Sequence, residues 1–385
     1  MRALLLGGSG ILGSAIVGAL RAQGHSVAVL HRGQGRTSCP NDAICIHGDR
    51  ACLEDLAPVF SALASDVVID AIAASAAAAR RTLRVFAGRA RLVFLSSVDV
   101  YRAWGLFRGA ETGALTAAPQ AETAPLRRQT GVYPASVLSR LRSGQGGLEE
   151  GLDRLGLERA AAAWPGAGAT IVRLPALYGP GDGRRSLYSL WRRMRDRRGA
   201  ILLQRGWSDW RSPRILIANA ARGVALAATH PRAVGRTYNL CEPENFSEAE
   251  WAQQVARAME WRGRIVVTPP ARTPRHLRVL ARTAQSCAAD SSRIRAELGY
   301  REAVPLPRAL AETLAWEQAH PPLPADSALF DYASEDAALR GLGFASIAGC
   351  GRNRIANIAN SATTTASAQT LASGPALPPV IQREP

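Results

Sequence analysis

The chain contains no lysine; all 47 residues counted as lysine or arginine are arginine. That absence excludes any chemistry built on a titratable amine, whether a Schiff-base nucleophile or an ammonium that lowers the pKa of a neighbouring phenol. It also weakens the message of the formal net charge of +16, which would otherwise point to nucleic acid or an anionic surface. The arginines are scattered, as a compositional preference would scatter them. The one dense run, Arg192-Arg193-Met194-Arg195-Asp196-Arg197-Arg198, reads as a solvated helix face, with an anion or nucleic-acid footprint as the alternative. Long apolar runs are missing too, so no membrane span is expected. The six cysteines include no C-x-x-C pair and are expected as thiols of a reducing compartment. Cys39, Cys45, His47 and Cys52 cluster without matching a structural zinc spacing, so no metal is expected. Aromatics make up only 6% of the chain and are absent from residue 345 onward, where Ala, Ser, Thr, Asn, Gly and Pro dominate; that tail is expected to be disordered.

Glycine, by contrast, is placed with purpose. Gly7, Gly10 and Gly13 follow the apolar run Ala3-Leu4-Leu5-Leu6, and a helix starting near Ile11 sets Ile16, Val17 and Leu20 on one face. A buried strand, a glycine turn and a helix form the first βα unit of a dinucleotide-binding fold. Glycine admits positive φ and lets backbone N–H groups approach a pyrophosphate, whose charge the helix N-terminus favours. A secretory signal is the rival reading of this segment. The glycines would break its apolar helix, and strand pattern resumes at Val27-Ala28-Val29-Leu30, so a cytoplasmic protein is expected.

Strand-like runs recur at Ala43 to His47, Val67 to Asp70, Leu92 to Ser96 and Thr170 to Leu174, with helical stretches such as Leu53 to Ala64 and Ala73 to Ala87 between them. This alternation predicts an α/β fold, a doubly wound parallel Rossmann sheet, with a smaller mixed C-terminal substrate-cap region and the disordered tail. The domains expected are 1–180 for the nucleotide, 181–320 for the cap with parts returning to the core, an extension at 321–344, and the tail at 345–385. Residues 105 to 147 read as a long irregular excursion. Beyond Gly181, helices are expected over Leu187 to Arg198, Asn219 to Ala228, Glu248 to Met259 and Leu306 to Ala319, with a short strand at Ile265 to Val267.

The second strand ends at Leu30-His31-Arg32, where a carboxylate would hold the ribose hydroxyls of NAD; Arg32, with Arg36 and His31, suits a 2′-phosphate, so NADP(H) is favoured over NAD(H). After the third strand comes Gly48-Asp49-Arg50, with Asp49 placed for the adenine amino group. These elements, with Leu95-Ser96-Ser97-Val98-Asp99-Val100-Tyr101, Arg173-Leu174-Pro175-Ala176-Leu177-Tyr178-Gly179-Pro180-Gly181-Asp182 and Tyr238-Asn239, fall in the order seen in extended short-chain dehydrogenases. From residue 1 to about 340 the chain resembles the NAD-dependent epimerase/dehydratase family, and Phe330-Asp331-Tyr332-Ala333 resembles the end of a reductase-like branch.

The resemblance implies cofactor contacts from Gly7, Gly10, Ile11, Leu12 and Gly13, then Arg32, Asp49, Arg50, Ala71, Ser96, Arg154, Leu174 and Pro175. It implies that Ser97 hydrogen-bonds the substrate oxygen. It also implies a Y-x-x-x-K pair, which this chain lacks: counted back from Glu158, the lysine position is Arg154 and the tyrosine position is Glu150. Arg154 can hold a ribose but cannot shuttle a proton. Three readings stay open: Tyr133 or Tyr101 acts as the acid, Glu150 does so with a pKa raised by burial, or catalysis is lost. Arg173 reads as a buried partner for a carboxylate. The function expected is a reductase, epimerase or dehydratase acting on a small carbonyl or sugar-nucleotide, possible as a homodimer; the alternative is a degenerate nucleotide-binding protein, a redox sensor or an RNA binder.

Overall fold

The computed structural model describes residues 1–33, 43–130, 152–166, 168–322 and 329–344. In chain order its main elements are β1 (Arg2–Leu6), α1 (Ile11–Ala22), β2 (Ser26–His31), β3 (Ile44–His47), α2 (Ala57–Leu63), β4 (Val67–Asp70), α3 (Ala76–Phe86), β5 (Arg91–Ser97) and α4 (Arg102–Phe107). There follow α5 (Arg154–Ala163), β6 (Thr170–Leu174), β7 (Ala176–Tyr178), α6 (Tyr188–Arg195), β8 (Ala200–Gln204), β9 (Arg214–Leu216), α7 (Ile217–Thr229) and β10 (Thr237–Asn239). The last are α8 (Glu248–Ala258), β11 (Arg264–Thr268), α9 (Ser292–Leu298), α10 (Leu306–Ala319) and α11 (Tyr332–Gly341).

The chain divides into two compact units, the first made of residues 1–180, 210–247 and 281–309. Its seven-stranded sheet has the order β10-β6-β5-β4-β1-β2-β3, and every pairing is parallel. Parallel strands need crossover helices, which cover both faces and make the strands apolar throughout. Leu4, Leu5 and Leu6 of β1, an interior strand between β4 and β2, are accordingly fully buried. On one face Val27, Val29, Ile69 and Val93 pack with Ile16, Val17 and Leu20 of α1 and Ala221 and Val224 of α7. On the other, Leu4, Leu6, Leu30 and Val68 pack with Leu83 of α3 and Leu157 and Ala161 of α5.

Helix starts differ from the periodicity for local reasons. α2 begins at Ala57 rather than Leu53, because Pro58 occupies a first-turn position where its missing N–H costs nothing. α3 begins after Ser75, whose hydroxyl accepts the Ala78 N–H. β10, three residues long, is a strand the sequence reading did not expect: Tyr238-Asn239 stood out only as a motif, and the segment pairs with β6 at the edge of the sheet.

The second unit comprises residues 181–209, 248–280 and 310 onward. Here β8 and β11 form a two-stranded parallel ribbon whose Ala200, Leu202 and Val266 pack against Leu339 of α11. The arginine run is a solvated face only in part, with Arg195 and Arg197 exposed. Arg193 is buried and pairs with Glu335 at 2.6 Å, Arg192 pairs with Asp196 at 2.6 Å, and Arg198 pairs with Asp336. Guanidinium planes also cover aromatic rings, Arg193 over Phe330 and Arg195 over Trp191. Arg193 and Arg198 therefore tie the α6 segment to α11. Cys45 is disulfide-bonded, which corrects the expectation of thiols throughout; Cys52, Cys241 and Cys287 are free. The tail from 345 lies outside the described residues.

Candidate functional site

The carboxyl ends of β1, β2, β4, β5 and β6 converge along one edge of the seven-stranded sheet, the side on which α/β folds take their ligands. At the end of β1 the Gly7 N–H donates to Leu30 O at 3.1 Å and Gly7 has φ +94°, which a side chain would resist. A Cβ on Gly13 would lie 2.3 Å from Gly7 O, so helix and turn touch backbone to backbone. Around Gly10 there is instead open space, with nothing within 4 Å of the position a Cβ would take. No side chain caps α1 and no acidic residue stands in its first turn. The N–H groups at its start are thus left for an anion. Ile11 is 44% exposed beside that opening, whereas Leu12 is half-buried against the core. The turn fits a dinucleotide pyrophosphate.

At the end of β2, Arg32 is exposed and no carboxylate follows it among the described residues to Gly33; Arg36 lies outside them. Asp49, half-buried, accepts the Ala51 N–H at 2.8 Å and so shapes its own turn. Arg50 departs from expectation. Its guanidinium is buried, 2.5 Å from Asp70 and 3.0 Å from the Thr82 hydroxyl, so its place as a cofactor contact is corrected to a core ion pair. Asp70 in turn accepts the N–H groups of Ile72 (3.2 Å) and Ala73 (2.8 Å), which sets the turn after β4. Ala71 sits in that turn, half-buried, its N–H on Leu6 O. Sequence reasoning passed over Asp70 and Thr82; an aspartate closing an apolar strand was their visible signal.

Ser97 ends β5 half-buried, and its hydroxyl oxygen accepts the Asp99 N–H at 3.3 Å, which leaves the hydroxyl proton able to donate. Its neighbour Ser96 faces the interior, donating to Glu158 at 2.5 Å, so its side chain is corrected from cofactor contact to core. Glu158 also takes both Arg173 Nε (3.0 Å) and Nη2 (2.6 Å), making Arg173 a partner for a buried carboxylate. Arg173 Nη1 donates to the Tyr101 oxygen at 2.8 Å, and the Tyr101 hydroxyl donates to Asn239 at 2.7 Å. Tyr101 is wholly buried, and burial pushes its pKa up to about 12 against the pull of Arg173. It is corrected from candidate acid to structural phenol.

Arg154 opens α5, whose N-cap Asp153 accepts the Gly156 N–H at 2.9 Å and donates its own N–H to Ala74 O. The Arg154 guanidinium donates to Ala73 O, after β4, and to Leu95 O of β5 at 2.7 Å. Burial pulls its pKa down, with the carboxylates of Asp99 and Asp70 opposing. Arg154 is thereby anchored on the strand that ends at Ser97, and beside that end Leu174, the last residue of β6, and Pro175 after it are both buried. Tyr133 and Glu150 lie outside the described residues.

Residues 3–139 match the family model for the NAD-dependent epimerase/dehydratase family. The chain is 30% identical over 284 residues to a 2′-dehydrokanamycin reductase of Streptomyces kanamyceticus, covering 66% of this chain and 71% of that protein. It is likewise 30% identical over 287 residues to a 3-diazoavenalumate denitrifying reductase of a Streptomyces species, covering 71% of this chain and 84% of that protein. Among solved structures, dTDP-glucose 4,6-dehydratase from Bacillus anthracis in complex with NAD superimposes with a TM-score of 0.58 at 14% identity, covering 83% of this chain and 97% of that one. No helix among the described residues is long and apolar enough to cross a membrane. Fold, glycine turn and sequence matches agree, and the chain belongs to the NAD-dependent epimerase/dehydratase family.

Proposed function

We propose that the protein is an NADPH-dependent reductase of a carbonyl in a small polar molecule. The carrying observation is that Arg154 is fixed at the end of β5, its guanidinium on Leu95 O in the same strand end as the half-buried Ser97 hydroxyl, while Tyr101 is withdrawn into the core. The glycine turn and the start of α1 hold the pyrophosphate, Arg32 holds the 2′-phosphate, and Arg154 with Pro175 borders the nicotinamide end. When bound, the nicotinamide supplies the hydride. Ser97 donates its hydroxyl proton in a hydrogen bond to the carbonyl oxygen, and the Arg154 charge stabilises the negative charge that develops there. The proton that completes the alcohol comes from Tyr133 or Glu150, the phenol or the carboxyl of the excursion before α5. Reduction suits an arginine at this position better than epimerisation does, because the cation has only to stabilise an oxyanion and never to pass a proton back and forth.

A cavity of about 690 Å³ in the same unit, lined by Arg102, Glu111, Thr112, Leu126, Arg128 and Gln129, offers charged and polar groups to a hydroxyl- or amino-bearing substrate. The relatives named as reductases support that class. The RNA-binding alternative draws less from the arginine run, of which Arg192, Arg193 and Arg198 are paired with carboxylates.

Calorimetry tests the cofactor: NADPH is expected to bind more tightly than NADH, and Arg32→Asp to reverse the order. Equal affinities before and after that change would end the assignment. For the chemistry, Ser97→Ala should remove carbonyl reduction, followed as NADPH oxidation against a panel of keto-sugars, while NADPH still binds. Turnover persisting in Ser97→Ala would exclude its role.

A further inference from the structure

The two-stranded ribbon of the second unit has an open side. In the parallel pairing of β11 with β8, the Arg264 N–H donates to Gly199 O at 3.0 Å and Thr268 O accepts the Arg205 N–H at 2.7 Å. Backbone groups alternate in direction along a strand. Arg264, Val266 and Thr268 therefore turn theirs to β8, whereas the N–H and C=O of Ile265 and Val267 point to the opposite edge. No strand pairs with that edge among the described residues. Val267 is 42% exposed and Ile265 is half-buried. Such an edge is a template for another chain unless charge, proline or cover blunts it.

A groove of about 660 Å³ beside it is lined by Gln253, Ala256 and Arg257 of α8, by Trp261 and Arg262, and by Ile265 of β11. The Trp261 indole N–H donates to Arg198 O at 2.9 Å, and a Cβ on Gly263 would come within 2.0 Å of the ring. Glycine at 263 thus admits the indole, which is held as an apolar wall at the start of the strand. Arg257, Arg262 and Arg264 are exposed and make no ion pair or side-chain hydrogen bond among the described residues, unlike Arg193 and Arg198 of the same unit. Against these three cations the groove sets one carboxylate, that of the exposed Glu260.

We propose that β11 accepts a third strand, an extended acidic segment of a partner protein. Its backbone pairs with Ile265 and Val267, its carboxylates meet Arg257, Arg262 and Arg264, and an apolar side chain rests on Trp261. Charge selects this occupant. A second copy of the ribbon would set Arg262 and Arg264 against their own counterparts, and residues 345–385 of this chain carry three arginines and one glutamate.

The test is fluorescence anisotropy of a labelled hexapeptide alternating glutamate with valine or phenylalanine, EVEFEV, titrated with the full chain at low salt. Binding is expected, weakened about tenfold when Arg257→Gln and Arg262→Gln are combined, the size of a lost charge-assisted hydrogen bond. The uncharged peptide QVQFQV should bind the wild type as weakly. Main-chain pairing has its own signature, because only one edge of the peptide meets β11. N-methylation of the glutamate amides and N-methylation of the valine and phenylalanine amides should therefore differ, one abolishing binding and the other leaving it unchanged. Val267→Pro removes a donor from the open edge and none from the pairing with β8. It is expected to abolish binding with the melting temperature kept; where that variant unfolds, the methylated peptides decide. Equal binding of both methylated peptides would reduce the contact to charge attraction and overturn the proposal. Absence of binding to the wild type would overturn it too, since the chain would then cover its own edge or the arginines would merely guard it. A concentration-dependent dimer that Val267→Pro dissolves would make the occupant a second copy, against the proposal.

Discussion

At the scale of single residues, the site is a lysine-free version of a familiar arrangement, and Arg154 is where the difference concentrates. Its guanidinium is held by two backbone carbonyls, Ala73 O in the turn after β4 and Leu95 O of β5. Removing the charge while keeping length, as in Arg154→Met, is expected to lower kcat about a hundredfold, the size seen when one oxyanion-stabilising group is lost. Single-turnover kinetics with NADPH checks this, and intact cofactor binding would place the loss in the chemistry. Ser97 and Arg154 entered through the family resemblance, which points to a serine at a strand end and to a position counted back from Glu158. The inward turn of Arg50, Ser96 and Tyr101 was not legible. Spacing says that a residue lies near the edge of the sheet, but whether its side chain turns outward or finds Asp70, Glu158 or Asn239 inside depends on partners 20 to 138 positions away.

At the scale of elements, buried ion pairs fix how segments join. Asp70 gathers Arg50, Thr82 and two backbone N–H groups, binding the turn after β4 to α3. In the second unit Glu335 of α11 is 1% exposed and receives Arg193 and His276. Breaking such a pair from one side leaves an uncompensated buried charge. Glu335→Gln is therefore expected to destabilise its unit by about 3–5 kcal/mol, and limited proteolysis should cut near α11 in the variant at concentrations of protease that spare the wild type. Unchanged cleavage would show that Leu339 and its apolar contacts suffice. Helices and strands were largely legible from periodicity, since a parallel sheet demands apolar runs and amphipathic crossovers. The docking of α11 was not, because a run of arginines looks the same whether water or carboxylates answer it.

At the scale of the whole molecule, buried acids set the pH range of stability. Glu242 accepts hydrogen bonds from the Tyr178 hydroxyl at 2.7 Å and the Leu216 N–H at 3.2 Å, yet burial outweighs both and raises its pKa to about 7. The folded state thus holds a proton that the unfolded chain has released above the ordinary glutamate pKa of 4.5. Its contribution to stability is fully present below pH 4.5 and is lost as pH rises through 7. The difference amounts to about 3 kcal/mol. Glu242→Gln should flatten this part of the curve, so that urea denaturation at pH 5 and pH 8.5 separates the variant from the wild type chiefly at the higher pH. A parallel pair of curves would remove Glu242 from the account. The amino-acid sequence by itself determined the parallel sheet, the glycine turn at the end of its first strand and the loss of the lysine chemistry, because strand periodicity, backbone freedom and side-chain type are local properties. The tertiary structure alone decided which polar groups face the ligand edge and which are consumed inside, because burial and partnership exist only once distant segments have been brought together.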